Sequence, residues 1–280
     1  MNPPEFLTDG RKGIRMTRKK ADDRTPRRRL WLVTLVAVAV CATVAAGLAG
    51  YRALSDDGDS DRAVTVDEAS RLALSRLTLY QASPVAITLT ATEGGGVSTR
   101  VEAVVDYRTH HAVGSYQVTG TAGRLDRGLI VWDGNGLGVA PMPEGAGGPA
   151  WEQAERIPRQ GWSPRAYTAA PLDSGLRFLI QLGADRPDNP LLLAQSGARW
   201  LGRERLQGRD YDRFSGPRAQ NAAREGQSAG ARSPLTYWVD GDGGLRRATM
   251  RMPGLDTPTT IEIAGRDDKV RMPEAPWIAG

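Results

Sequence analysis

LTLYQASPVAITLTAT, residues 77–92, contains a change of hydrophobic period, and that change decides the fold. Upstream of Pro84, the residues Ala69, Leu72, Ala73, Arg76, Leu77 and Tyr80 fall at helical spacing, which places them on one helix face. Thr65 with Glu68 three residues later forms a capping-box pattern for the first turn, and Pro84 closes the segment. Beyond it Val85, Ile87, Leu89 and Ala91 alternate with Ala86, Thr88, Thr90 and Thr92. A period of two is that of a strand with one buried face. A helix therefore leads straight into a sheet.

The same period continues. The glycines at 94–96 supply a turn, and Val101, Ala103 and Val105 alternate with Arg100, Glu102 and Asp106. A third strand is predicted over 113–118. Residues 129–132 and 137–140 flank Asp133-Gly134-Asn135-Gly136, a hairpin signal because these residues tolerate positive φ. Residues 141–170, rich in Pro, Gly and Ala around Trp151 and Trp162, predict a long loop with little regular structure. Asp173 or Ser174 is expected to cap a helix carrying Leu176, Leu179, Ile180 and Leu182. A second short helix follows Pro190 and ends at Gly197. Strands are expected again at 199–206, 209–215, 235–239, 245–252 and 259–264, with 240–244 as a turn. Residues 219–233 have no apolar period and predict an excursion. Strand-rich order with grouped helices gives an α+β domain, a broad twisted antiparallel sheet with its apolar face covered by helices.

Residues 30–50, LWLVTLVAVAVCATVAAGLAG, contain no charged side chain and reach the roughly 20 residues that a membrane-spanning helix needs. Ten Lys and Arg precede them within residues 1–29, and Asp56, Asp57, Asp59 and Asp61 follow. Basic flanks stay on the cytoplasmic side. The order predicted is a basic cytoplasmic tail (1–29), a transmembrane helix (30–50), an acidic linker (51–62) and an extracytoplasmic domain (63–280). The chain would thus be a single-pass protein of the cell membrane. A cleavable leader could use 44–46 or 47–49 as its small-residue site, but the apolar run exceeds the roughly 7–15 residues of a leader core. Lipidation at Cys41 would require a small residue before it, where Val40 stands. Met16 opens a compact basic leader and is an alternative start.

Charge is divided unevenly. Residues 1–29 hold ten basic and four acidic side chains, which leaves 27 of the 37 basic and 28 of the 32 acidic ones for residues 30–280. The exported part therefore has no basic field, which argues against nucleic acid as a partner. Cys41 is the sole cysteine, so the domain contains no disulfide and is held by packing. Lys269 is the one lysine after the apolar run; Arg, Ala, Gly and Pro replace it, the bias of a GC-rich, actinobacterial type of genome.

Catalytic chemistry finds little support. His110 and His111 are adjacent; on a strand they would point to opposite faces, and they read as a polar pair near a strand or turn end. There is no G-x-S-x-G elbow. Asp240 and Asp242 sit in a glycine-rich stretch, but Arg251 occupies the twelfth position, where a calcium loop needs Glu. Asp210/Asp212 and Asp267/Asp268 lie in strongly charged segments expected to be solvated. No enzyme, metal or cofactor is predicted. What remains is apolar: Leu176, Phe178, Leu179 and Ile180, then 191–193, form helices greasier than exposed ones, either core or the wall of a pocket.

Three stretches carry a resemblance: LTLYQASPVAITLTAT, LDSGLRFLIQLGADRPDNPLLLAQSGARWLGRERLQGRDYDRFSG (172–216) and LTYWVDGDGGLRRATMRM (235–252). Through them residues 63–280 resemble the LolA-like superfamily of outer-membrane lipoprotein carriers, and more closely the actinobacterial envelope lipoproteins of the LppX/LprG type. The resemblance implies a strongly curved antiparallel sheet, a half-barrel, with helices on its concave face. It also implies a lipid or lipoprotein acyl chain held between them. Leu176, Leu179 and Ile180 on the helix, with Leu89, Val101 and Val118 on the sheet, are the residues expected along that cavity. Two departures stand out: a helical anchor in place of a lipidated cysteine, and long insertions at 141–170 and 219–233. A tethered domain cannot shuttle, so two functions compete: binding of a lipid-like or acylated ligand, and a sensory or interaction domain acting on an envelope protein partner. The tail of at most 29 residues is too short to fold as a domain.

Overall fold

The structure, a computed structural model, describes residues 61–217 and 233–272 except Arg124, Glu144, Ala146, Asp267 and Arg271. These belong to one compact unit, Asp59–Gly280. The predicted tail, transmembrane helix, most of the linker, and the 219–233 excursion apart from Ser233 lie outside the described residues. Among the described residues no helix is long and apolar enough to cross a membrane.

Helix α1 spans Val66–Gln81 and begins as its sequence predicts. Glu68 N–H donates to Thr65 Oγ1 at 3.3 Å, and Thr65 N–H donates to Glu68 Oε2 at 2.8 Å. The same carboxylate receives Arg62 through two bonds of 2.7 and 2.8 Å. Burial opposes the Glu68 charge, but the Arg62 and Thr65 hydrogen bonds outweigh it and hold its pKa below the usual carboxylate range.

Twelve strands form, ten of them in the segments expected and two, β1 and β7, outside them: β1 Arg62–Ala63, β2 Val85–Thr92, β3 Ser98–Asp106, β4 His111–Thr119, β5 Leu125–Trp132 and β6 Gly136–Pro141, then β7 Ser163–Ala166, β8 Arg199–Leu206, β9 Arg209–Ser215, β10 Leu235–Val239, β11 Leu245–Met250 and β12 Thr259–Arg266. They form one open sheet in the order β1-β8-β9-β10-β11-β12-β2-β3-β4-β5-β6-β7. Every pairing is antiparallel. Two meanders, β2 to β7 and β8 to β12, are thus joined side by side along β12 and β2. Strand twist of about 20–25° per neighbour forces so wide a sheet to coil rather than lie flat.

Register separates the two faces. Tyr237, Ala248, Ile261, Leu89, Val101 and Tyr116 make one row across six strands, all on the helix-covered face. Shifted by one residue, Trp238, Arg247, Glu262, Thr88, Glu102 and Ser115 make the opposite row, which is mostly polar. That two-residue alternation is the reason the sequence pattern was so legible.

Leaving edge strand β7, the chain reaches β8, which is flanked by the two-residue edge strand β1, by crossing the inner face through α3 (Pro171–Ile180) and α4 (Pro190–Gln195); α2 (Ala150–Arg156) precedes β7. Helix α3 packs on β2 and β12. It seats closely because Gly175 has no side chain: a Cβ there would lie 2.9 Å from Thr259 Cγ2 and 3.0 Å from Leu89 Cδ1.

Several expectations require correction. Segment 141–170 holds α2 and β7, and α2 covers the outer face. There Ala154 and Trp162 pack with Val113, Leu129, Val131 and Ala140, so β4 to β6 are buried on both sides. The apolar residues of that segment are too sparse to show a period. Neither Asp173 nor Ser174 caps α3, which starts one turn earlier behind Ala170 with Pro171 in its first turn. The 133–136 hairpin forms without positive φ at Gly134 or Asn135. Instead Asp133 Oδ1 accepts the N–H groups of Asn135 and Gly136 at 2.7 and 3.0 Å, a side-chain-stabilised turn. The His110–His111 pair, by contrast, lies at a turn and strand end as expected: His110 is in the turn with φ 55°, and His111 begins β4.

Candidate apolar binding site

An apolar cavity of about 250 Å³ lies where α1, α3 and α4 meet β10. Leu72, Ser75 and Arg76 reach it from one face of α1, as spacings of three and four require. Phe178 comes from α3, Leu182 from just beyond that helix, Leu193 from α4 and Tyr237 from β10. The Phe178 and Tyr237 rings face one another at 6.4 Å between centroids and 41° between planes. Ser75 adds little polarity, because its hydroxyl donates to the Leu72 carbonyl at 2.7 Å within α1.

Polar groups gather at the rim. The Arg76 guanidinium donates to Leu182 O at 3.3 Å, Gln181 O at 3.0 Å and Asp188 Oδ1 at 3.1 Å. It thereby satisfies carbonyls that the end of α3 leaves without helical partners. Burial pushes the Tyr237 phenol up to about 12, with Arg76 acting against this and Asp188 with it. Tyr237 therefore enters the cavity wall neutral at ordinary pH. On the other side of Arg76 and Gln181 lies a polar hollow of about 520 Å³ lined by Tyr80, Arg108, His110 and Asp185. His110 Nδ1 sits 3.4 Å from Ile180 O.

The six residues expected along a cavity are placed together, but not around this one. Leu89, Val101, Leu176, Leu179 and Ile180 belong to one inner core and are at most 1% exposed. Val118 is half-buried near the end of β4 on the same face. None of the six lines the cavity. Its walls come instead from Phe178, next to Leu179 on α3, from α1 and α4, and from β10, three strands away from β2. The signal for Leu72 and Arg76 was their i, i+4 spacing; Tyr237 lay within the quoted LTYWVD stretch.

Elsewhere the polar groups serve structure. Asp212, expected to be solvated, is 4% exposed on the inner face. It receives Arg71 at 2.6 Å, Trp200 Nε1 at 3.1 Å and Arg203 Nε at 3.2 Å, so it ties α1 to β8 and β9. Asp240 Oδ1 accepts Asp242 N–H and Gly244 N–H at 3.0 and 2.7 Å, which makes the 240–244 stretch a turn. Among the described residues no three His, Cys, Asp or Glu side chains are grouped to hold a metal. Among the described residues the buried Tyr107 hydroxyl and Trp132 Nε1 have no hydrogen-bond partner.

The molecule is thus an α+β domain of one open antiparallel sheet, with α1, α3 and α4 on the inner face above an apolar cavity and α2 on the outer face. The chain matches no family model and no curated protein. Among solved structures it is similar to a domain assigned to outer-membrane lipoprotein sorting in Vibrio parahaemolyticus, with 10% identity, a TM-score of 0.17, and coverage of 65% of this chain and 82% of that one. A likeness of that size decides nothing about ligand or partner.

Proposed function

We propose that this chain is a membrane-tethered extracytoplasmic domain that takes an acyl chain of a lipid-like or acylated ligand into the cavity between α1, α3, α4 and β10. The observation that carries the proposal is the cavity itself: its walls are mostly aliphatic and aromatic, and its charged groups, Arg76 and Asp188, pair with each other and reach solvent. Acyl chains are bound by such surfaces, with a few polar groups fixing the head. A volume near 250 Å³ lies below the usual range of about 300–1,000 Å³ for small-molecule sites, which suits a single chain rather than several. The open antiparallel sheet with α1, α3 and α4 on one face supports this reading, because the resemblance to LolA-like domains implies a half-barrel with helices on its concave face. The apolar segment 30–50 and its basic flank support the tether and the outward orientation of the domain. On this reading the protein binds and does not catalyse.

The test is mass spectrometry of organic extracts from the purified segment beginning at Asp59, with binding of a fluorescent fatty-acyl probe by delipidated protein. A co-purifying lipid, or saturable probe binding that Leu193→Trp abolishes, is expected. Neither lipid nor probe binding would overturn the proposal and leave a sensory or interaction domain acting on an envelope protein.

A further inference from the structure

Four large apolar side chains are exposed among the described residues: Val66 at 70%, Leu191 at 63%, Leu192 at 61% and Leu74 at 40%. Three of them sit on α4 and the first turn of α1, and the backbone brings those elements to one end of the domain. Approaching α4, the chain steps toward the start of α1: Ala184 N–H donates to Arg76 O, and Asp188 N–H to Ala73 O, both at 3.1 Å. Helix α4 then packs on α1. After it, β8 pairs Arg199 with Ala63, three residues before Val66. This is also the end at which the chain arrives from its amino-terminal segment, at Arg62.

We infer that Val66, Leu191 and Leu192 form a surface that rests in the lipid bilayer holding the tether. Residues 51–61 separate the apolar segment from β1, and eleven extended residues span at most about 40 Å. The patch is therefore held close to the bilayer, and contact becomes an intramolecular event in which a small surface suffices. Three side chains are too few for the roughly 1,200 Å² of a free protein–protein interface. The backbone of α4 also suits a water-poor boundary. Pro190 has no N–H, Leu191 and Leu192 donate to Asn189 Oδ1 at 2.9 and 3.3 Å, and Leu193 donates to Asn189 O at 3.0 Å. The helix start thus presents no unsatisfied donor where hydration is lost. Leu193, next in the chain, lines the cavity, so the surface set against lipid is continuous with the cavity wall.

The inference rests on the tether in the reading above and not on occupancy of the cavity. It is tested on the full chain carrying Cys41→Ala, reconstituted in phosphatidylcholine vesicles containing lipids spin-labelled along the acyl chain. An environment-sensitive fluorophore is placed at Leu192→Cys, at Val66→Cys, or at Thr121→Cys in the exposed β4–β5 turn as control. Blue-shifted emission with quenching by the labelled chains is expected at 192 and 66 and not at 121. Leu191→Asp with Leu192→Asp should release the quenching at 66. Emission at 192 as unquenched as at 121 overturns the inference, and so does a blue shift without quenching, which would mean that protein covers the patch. Retention of the chain on floated vesicles after an alkaline wash reports the tether separately, so loss of the tether and loss of the contact are told apart.

Discussion

Asp173 in the first turn of α3 and Arg165 on edge strand β7 form a two-pronged ion pair, with Nη1 donating to Oδ2 at 2.6 Å and Nη2 to Oδ1 at 2.8 Å. Thr168 adds its N–H at 2.7 Å and its hydroxyl at 2.6 Å to the same carboxylate. The Asp173 side chain is fully buried, whereas Arg165 is 42% exposed. Burial opposes the charge, but the Arg165 and Thr168 bonds outweigh it and hold the Asp173 pKa below the usual range. The pair fixes where the chain leaves the sheet edge, and hence how α3 lies across the inner face.

Asp173→Asn should therefore destabilise the domain by about 3 kcal/mol, the low end for a broken buried pair, since Arg165 can still reach water. Both Asp173 and Glu68 have native pKa values below their unfolded ones of about 3.9 and 4.3. The stability they contribute is complete above those values and is lost as pH falls through the lower native ones. Urea unfolding as a function of pH should show constant stability from about pH 7 to 5 and a decline below about pH 4. In Asp173→Asn that decline should be shallower; an unchanged one would remove Asp173 as its source.

Gly175→Ala should destabilise, against the usual rule for helices. Alanine in a helix interior normally gains up to about 1 kcal/mol over glycine. Here the added methyl meets Thr259 Cγ2 at 2.9 Å and Leu89 Cδ1 at 3.0 Å, and overpacking of this kind costs about 1–3 kcal/mol. Thr259→Ser removes the nearer atom and should restore part of the loss in the double variant. Simple additivity of the two changes would show that the contact is not the cause.

Where a strand buries one face its alternation is legible, as in β2 with its pattern of buried and half-buried residues, and the expected bounds of β8, β9 and β10 match the structure to the residue. Helix α1 was legible through its Thr65–Glu68 cap. Segment 141–170 was not, because α2 buries Ala154 against the outer face with only scattered apolar neighbours, and no period survives. The site was half legible. The sequence identified the greasy helix α3, but whether Leu179 or Phe178 borders a void depends on how α1 and α4 dock, a tertiary fact with no periodic signature. Asp212 was misjudged for a similar reason: its partner Arg71 is 141 positions away, and sequence proximity to Arg209 and Arg213 suggested a solvated run.

Tyr107→Phe should stabilise the domain. The Tyr107 ring is fully buried, its hydroxyl has no hydrogen-bond partner among the described residues, and burial raises its pKa well above the usual value, so it stays neutral. An unsatisfied buried hydroxyl costs about 1–3 kcal/mol of desolvation, and phenylalanine keeps the ring packed against Gly183. A gain of about 1 kcal/mol in urea unfolding is expected. A loss would mean that the hydroxyl has found an acceptor in solution.

Leu179 and Leu193 should respond oppositely to enlargement. Leu179 is wholly buried in the inner core, so Leu179→Ala should cost about 2–5 kcal/mol through the volume left empty. Leu179→Trp should cost about 1–3 kcal/mol by overpacking. Leu193 is only half-buried and borders the cavity of about 250 Å³. An indole at that position can extend into existing space, so Leu193→Trp should change stability by less than about 1 kcal/mol, below the overpacking range. The same indole occupies the room an acyl chain would take, and probe binding should fall. Unfolding of delipidated variants, measured beside binding of a fluorescent acyl probe, separates the two positions. Strong destabilisation by Leu193→Trp would mean that α4 closes over a filled interior. Unchanged probe binding in a stable Leu193→Trp protein would place the acyl chain elsewhere in the domain.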